Sequence, residues 1–171
     1  MKYLIGSDIH GSAFWCQKFM DVYTQEKPDE IILLGDILYH GPRNDLPRDY
    51  APKKVIAMLN PLAEKINCCR GNCEAEVDQM VLDFECMGDY NLILDDDASI
   101  FCTHGHIFNP DAMPGLEPGS IFLYGHTHVK DDRIQDGIHI FNPGSVSIPK
   151  DGSHSCAILD DDGLRHIILS Q

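Results

Sequence analysis

Short apolar runs, each ended by a polar, glycine-bearing turn, set the rhythm of the N-terminal part of the chain. Lys2 to Ile5 reads as a buried strand, and Asp8-Ile9-His10-Gly11 as the turn leaving it. From Ser12 to Gln25, Phe14, Phe19, Met20, Val22 and Tyr23 stand at helix-like spacing until Lys27-Pro28-Asp29 breaks the pattern. Glu30 to Leu34 is a second apolar run, ending at Gly35-Asp36. A polar loop from Tyr39 to Tyr50 follows, and Pro52 opens a helix expected to run to about Glu64. Lys65 to Cys69 is the third strand, ending at Arg70-Gly71-Asn72. Strand, polar loop and helix thus repeat, which implies parallel strands in an α/β architecture.

After about Asn91 the texture changes to strands without helices. Asn91 to Leu94 and Ser99 to Thr103 flank Asp95-Asp96-Asp97, read as a hairpin turn, and Ile121 to Tyr124 leads into Gly125. Asp132 to Gln135, Ile138 to Phe141, Ser155 to Leu159 and Leu164 to Leu169 are further short strands separated by Asp-Gly turns. No linker, repeat or low-complexity stretch divides the chain, so residues 1–171 are expected to form one domain with a sizeable core.

Composition narrows the function classes. With 43% hydrophobic and 23% charged residues the chain has ordinary globular proportions. Apolar runs such as Ile31 to Leu34 are too short to span a bilayer, and the N-terminus carries no extended hydrophobic signal region, so a cytoplasmic location is expected. The seven cysteines (16, 68, 69, 73, 86, 102 and 156) form no regular framework and are expected to be reduced. A net charge of −14 argues against an extended basic track for nucleic acid and leaves a small substrate or a nucleic-acid end.

Candidate chemistry gathers in five stretches: Asp8-Ile9-His10, Gly35-Asp36, Gly71-Asn72-Cys73-Glu74, Thr103-His104-Gly105-His106 and Gly125-His126-Thr127-His128. Taken singly, the first three are adequate turns, and aspartate is a common turn former and helix cap. Two histidines separated by one residue after a glycine are harder to explain as core or as an ordinary turn, and imidazole is a common metal ligand. All five stretches come at the ends of expected strands, where open α/β folds build their sites. A mixed oxygen and nitrogen donor set suits manganese, iron, nickel or zinc, whereas Mg²⁺ and Ca²⁺ favour oxygen alone. Two divalent ions set against Asp8, Asp36 and a bridging hydroxide would leave one formal positive charge, enough to draw an anionic phosphate into an acidic protein.

The ordered pattern D-x-H, G-D, G-N-x-E/D, H, G-H-x-H over positions 8 to 128 resembles the calcineurin-like metallophosphoesterase superfamily, in its small bacterial and archaeal phosphodiesterase branch. Asn142-Pro143-Gly144-Ser145 resembles a further stretch common there. The resemblance implies a four-layer α/β/β/α sandwich of two packed mixed sheets flanked by helices. It implies one metal among Asp8, His10, Asp36 and His128, and a second held by Asn72, His104 and His126 with Asp36 as the bridge. Two divalent ions are implied, Mn²⁺ foremost with Fe, Ni or Zn as alternatives. The implied reaction is in-line displacement at phosphorus by a metal-bridging hydroxide, with Asp36, Asn72 and His104 positioning nucleophile and phosphate.

Cys73 departs from the pattern of the protein-phosphatase members, where a histidine after the motif asparagine can act as general acid. A thiol, with a usual pKa of about 8.5, is a weak donor at neutral pH, which favours diesters over monoesters. His40, Arg43, Cys73 and His106 are candidates for substrate contact, and Arg43 could meet a phosphate with its planar fork. Glu74 is expected to orient the Asn72 loop rather than touch metal. Alternatives are a phosphomonoesterase of small substrates, or a non-catalytic interaction scaffold such as the superfamily's retromer subunit, which loses ligands where this chain keeps them. No membrane partner is expected, and self-association stays open.

Overall fold

The computed structural model describes residues 1–95 and 98–171, so the centre of the expected Asp95-Asp96-Asp97 hairpin turn lies outside the described residues. Among the described residues, ten strands form two mixed five-stranded sheets. In the first, β1 (Tyr3–Gly6), β2 (Glu30–Leu33) and β3 (Ile66–Cys68) run parallel, and β9 (Ser155–Asp160) and β10 (Gly163–Ile168) add antiparallel, giving the order β10-β9-β1-β2-β3. In the second, β5 (Ser99–Thr103), β6 (Ile121–Leu123) and β8 (Ile138–Asn142) run parallel between the antiparallel edges β4 (Tyr90–Leu94) and β7 (Asp131–Gln135).

The apolar runs are buried on both faces, which explains why they do not alternate with polar residues. Leu4, Ile31 and Leu33 point to α1 (Ala13–Glu26) and α2 (Pro52–Leu59), meeting Trp15, Phe19 and Val55. Tyr3, Ile5, Ile32 and Leu34 point the other way, onto Ile100, Cys102, Leu123 and Phe141 of the second sheet. Each fully buried side chain in this inter-sheet layer, such as Ile5 or Phe141, contributes about 1.5–3 kcal/mol. α1 begins where Ser12 Oγ accepts the Trp15 amide hydrogen and ends at Lys27, whose φ of 48° is left-handed.

Helix α2 is shorter than expected. It stops at Leu59 and continues to Lys65 as a 3₁₀ turn, because Pro61 has no amide hydrogen for an α-helical bond. Sequence patterning also missed a single helical turn, α3 (Glu76–Gln79). The two packed sheets are those expected, but the outer face of the second sheet is covered by the irregular segment 105–119. There Phe108, Met113 and Leu116 pack on Phe101, Phe122 and Ile140. Among the described residues no helix is long and apolar enough to cross a membrane.

Candidate metal centre

The six parallel strands of the two sheets end on one rim. Asp8 and His10 follow β1, Asp36 follows β2, Asn72 follows β3, His104 follows β5, and His126 and His128 follow β6. The loops are tied together by main-chain bonds: the Asp8 amide donates to the Gly35 carbonyl at 3.1 Å, the His10 amide to Asp36 O at 2.9 Å, and the Gly125 amide to His104 O at 2.7 Å. Gly71 is required because a Cβ there would collide with the Asp36 carboxylate, and Gly125 because one would collide with Ser7 Oγ. Asp8, His10, Asp36, His126 and His128 all have positive φ, between 49° and 66°. Such left-handed backbone is sparsely populated by non-glycine residues and persists where surrounding structure over-determines it.

Three histidine rings are held by the nitrogen that faces away from the centre. His10 Nδ1 lies 2.7 Å from the Tyr39 carbonyl, His104 Nδ1 2.6 Å from Leu34 O, and His128 Nδ1 2.6 Å from Ile148 O. A carbonyl only accepts, so each Nδ1 carries the proton and each neutral ring turns an Nε2 lone pair inward. His10 Nε2 then lies 3.5 Å from Asp8 Oδ1 and 3.6 Å from Asp36 Oδ2, with His128 Nε2 3.1 Å from Asp8 Oδ1. On the other side His104 Nε2 lies 3.3 Å from Asp36 Oδ2, 3.1 Å from Asn72 Oδ1 and 3.2 Å from His126 Nδ1. Donor atoms of Asp8, His10 and His128, and separately of Asp36, His104 and His126, each lie within 4.8 Å of one another, with Asp36 between the two groups.

With neutral rings, lone pairs would face lone pairs here unless a cation or a proton lay between them. Asp8 Oδ2 is satisfied by Ser7 Oγ at 2.6 Å and the His126 amide at 3.1 Å, but Asp8 Oδ1 is buried with no hydrogen-bond partner. An orphaned carboxylate oxygen among inward imidazoles costs free energy unless a cation sits there. In the absence of one, protons take that part. Burial works against a charged His104, yet Asp36 and Asp8 raise its pKa to about 9. Burial alone would raise Asp8, but His10 and His128 hold its carboxyl well below the usual range, and His104 lowers Asp36 likewise.

Supporting residues lock the loops. Glu74 accepts the amides of Asp36 and Ile37, both at 2.8 Å, and of Gly71 at 2.5 Å, so it does orient the Asn72 loop. Burial and the Asp36 charge push its pKa to about 7 against those three amides. Ser145 Oγ and Ser147 Oγ both donate to the Asp8 carbonyl at 3.0 Å, and Asn142 Nδ2 donates to Gly125 O at 3.0 Å. The Asn142-Pro143-Gly144-Ser145 stretch thus braces the ligand loops from β8.

A cleft of about 290 Å³ opens beside the cluster, lined by His10, Asp36, Asn72, His126 and His128 together with Arg43, Asn44, Cys73 and Lys150. Of the four candidates for substrate contact, Arg43 and Cys73 line this cleft. His40 is not among the lining residues; its ring packs edge-on against Tyr39 and Tyr50. His106 does not line this cleft; its ring centroid is 5.4 Å from that of His104 and 6.2 Å from that of His126, and it lines a neighbouring depression with Tyr124, His126 and Arg133. Lys150 carried no motif and was missed; the chain returns it to the cleft through its amide bond to the His128 carbonyl at 2.9 Å.

Comparison with known proteins agrees with this geometry. The profile of the calcineurin-like phosphoesterase superfamily domain matches residues 1–163. The chain belongs to that superfamily. Among its relatives, phosphodiesterase YfcE of Escherichia coli (strain K12) is 43% identical over 171 residues, covering 99% of this chain and 93% of that protein. Phosphodiesterase MJ0936 of Methanocaldococcus jannaschii is 26% identical, covering 99% of both. A solved structure of YfcE, a phosphoesterase from E. coli, superposes with a TM-score of 0.94 at 40% identity, covering 99% of this chain and 100% of that one. The superfamily chain described here is therefore an enzyme of phosphoric ester hydrolysis, and the converging ligands are its candidate metal centre.

Proposed function

We propose that the protein is a metal-dependent phosphodiesterase that cleaves small phosphodiesters by in-line displacement at a dinuclear centre. The observation that carries this reading is the buried, unpartnered Asp8 Oδ1 facing the Nε2 atoms of His10 and His128. Asp8, His10, Asp36 and His128 would hold one divalent ion and Asp36, Asn72, His104 and His126 the other. Two ions there supply a water nucleophile activated at neutral pH and positive charge for the phosphoryl oxygens. Manganese is the favoured metal, with iron, nickel and zinc as alternatives for the same donors.

The chain's own residues orient and exclude. The three carbonyl-anchored imidazoles keep their lone pairs aimed inward, and Glu74 fixes the spacing of the Asp36 and Asn72 loops. Cys73 stands at the cleft with its amide donating to Asp36 Oδ1 at 2.9 Å. Burial and the Asp36 charge push its thiol far up, so it stays a neutral, weak donor. A diester with a good leaving group needs no stronger acid, whereas a phosphomonoester does, and the names of the two curated relatives support the diester. The complete ligand set separates this reading from a non-catalytic scaffold on the same fold. We place the reaction in the cytoplasm, where seven free thiols persist reduced.

The test is hydrolysis of bis(p-nitrophenyl) phosphate and p-nitrophenyl phosphate after exhaustive chelation and after adding back Mn²⁺. Diester turnover that returns with the metal is expected, at a stoichiometry near two. Activity surviving chelation overturns the metal requirement, and a strong preference for the monoester overturns the substrate class.

A further inference from the structure

The cleft is walled by two cations from different loops, Arg43 after β2 and Lys150 after β8. Both side chains are exposed, and neither has an ion-pair partner among the described residues. Five of the thirteen lysines and arginines, Lys2, Lys54, Lys130, Arg133 and Arg165, pair with a carboxylate among the described residues; of those that do not, Arg43 and Lys150 are the two that line this cleft. In a chain of net charge −14, two uncompensated cations facing one cleft leave room for an anion from outside. Their backbones are fixed: Lys150 by its bond to the His128 carbonyl, and the Arg43 turn by Asn44 Nδ2 donating to His40 O at 2.8 Å.

Charge counting says which anion. Two divalent ions met by the carboxylates of Asp8 and Asp36 and by the hydroxide nucleophile would leave a single formal positive charge, the complement of one diester monoanion. Arg43 and Lys150 then exceed what a simple diester neutralises. We propose that they recognise a second anionic group, so that the preferred substrates are diesters carrying a further phosphate on the arm beyond the scissile one. The inference rests on the phosphodiesterase reading above. It makes Arg43 and Lys150 determinants of specificity, acting through charge-assisted hydrogen bonds to that group.

The experiment uses the full-length, Mn²⁺-loaded protein and two probes that differ by one phosphate. They are the p-nitrophenyl ester of thymidine 5′-phosphate and the same compound phosphorylated at the 3′ oxygen. The 3′-phosphorylated probe is expected to have a kcat/KM higher by about tenfold, carried by KM and shrinking with added salt. In the double variant Arg43→Gln/Lys150→Gln the ratio between the probes should fall to about one, with metal content unchanged. Lys53→Gln, an exposed lysine away from the cleft, should keep the ratio. A wild-type ratio near one, or a ratio that survives in the double variant, overturns the proposal. Should neither probe be hydrolysed, the phosphodiesterase reading fails separately. Calorimetric binding of thymidine 3′,5′-bisphosphate against thymidine 5′-phosphate then decides: a preference lost in the double variant supports the proposal, and equal affinities overturn it.

Discussion

Glu74 and Asp36 hold each other's loops: Glu74 Oε2 accepts the Asp36 amide at 2.8 Å, and the amide beside Glu74, that of Cys73, donates to Asp36 Oδ1 at 2.9 Å. The acid after β2 is thus fixed by backbone from the loop after β3, and the acid after β3 by backbone from the loop after β2. Glu74 is only 3% exposed, so truncation leaves the amides of Asp36, Ile37 and Gly71 without acceptors in a dry setting. We expect Glu74→Ala to destabilise the fold by about 3 kcal/mol or more, since each stranded buried donor costs about 1–3 kcal/mol. Metal affinity should fall as well, although Glu74 touches no metal in this arrangement. Denaturant unfolding and metal titration measure both; a stability loss below about 1 kcal/mol would show that the loops do not depend on this carboxylate.

Among the described residues Asp36 is the one carboxylate that pairs with a histidine of both ligand groups, 3.6 Å from His10 Nε2 and 3.3 Å from His104 Nε2 through the same oxygen. Replacing it by asparagine removes one negative charge from between two sites that each need it. Asp36→Asn should therefore lower metal retention more than any single histidine-to-alanine change at positions 10, 104, 126 or 128. Elemental analysis of the purified variants gives the ranking, and normal stoichiometry in Asp36→Asn would refute the shared position.

Protons substitute for metal in the cluster, which gives the metal-free protein a distinctive pH dependence. His104, whose folded pKa is about 9 against 6.5 unfolded, adds stability that is full below pH 6.5 and lost as pH rises through 9. Glu74, raised to about 7 from 4.5, binds more protons folded than unfolded in that window and so also makes stability fall as pH rises. Asp8 and Asp36 are lowered, and they contribute stability that disappears only as pH falls below the ordinary carboxylate range. The chelated protein should therefore be less stable at pH 9 than at pH 6, by an amount on the order of a few kcal/mol, and melt at a lower temperature. With Mn²⁺ present the trend should reverse, because deprotonated imidazoles bind metal better at higher pH. Thermal melts in chelator and in Mn²⁺ at both values check the two slopes, and parallel slopes would be incompatible with competition between protons and metal.

The strands and the placing of the motif residues at their ends were legible because both are written locally. Runs such as Ile31 to Leu34 must be buried wherever they lie, and the turn residues after them fall at strand ends whatever the sheet order. Sheet order was not legible: β9 and β10 join the first sheet beside β1 through pairing across most of the chain, a contact no local pattern encodes. The 3₁₀ end of α2 could have been anticipated from Pro61, and the loop covering the second sheet could not, since its apolar residues Phe108, Met113 and Leu116 show no periodicity. At the site, Asp8, His10, Asp36, His104, His126 and His128 converge as the motif order implied. Lys150 and the bracing serines Ser145 and Ser147 were invisible as chemistry because a lysine or serine in a loop has no spacing that distinguishes it from solvated surface. His40 misled for the opposite reason: its place beside Arg43 suggested the cleft, while the ring is taken up by Tyr39 and Tyr50.

Cys73 is the residue whose chemistry differs most from what its place suggests. Its thiol lies near His10 and Asp36 at the mouth of the cleft, yet burial and then the Asp36 charge hold its pKa far above the usual value. It is therefore neither a thiolate nucleophile nor an effective proton donor at neutral pH. Cys73→Ser keeps the size and weak polarity of the side chain, so diester turnover should change by less than about threefold; loss of a proton donor would instead cost about a hundredfold or more. The same thiol should alkylate with iodoacetamide more slowly at pH 7.5 than a free cysteine, because only the thiolate reacts. Rapid alkylation together with a hundredfold loss in Cys73→Ser would assign the thiol a direct part in the reaction and remove the main structural argument for diesters over monoesters.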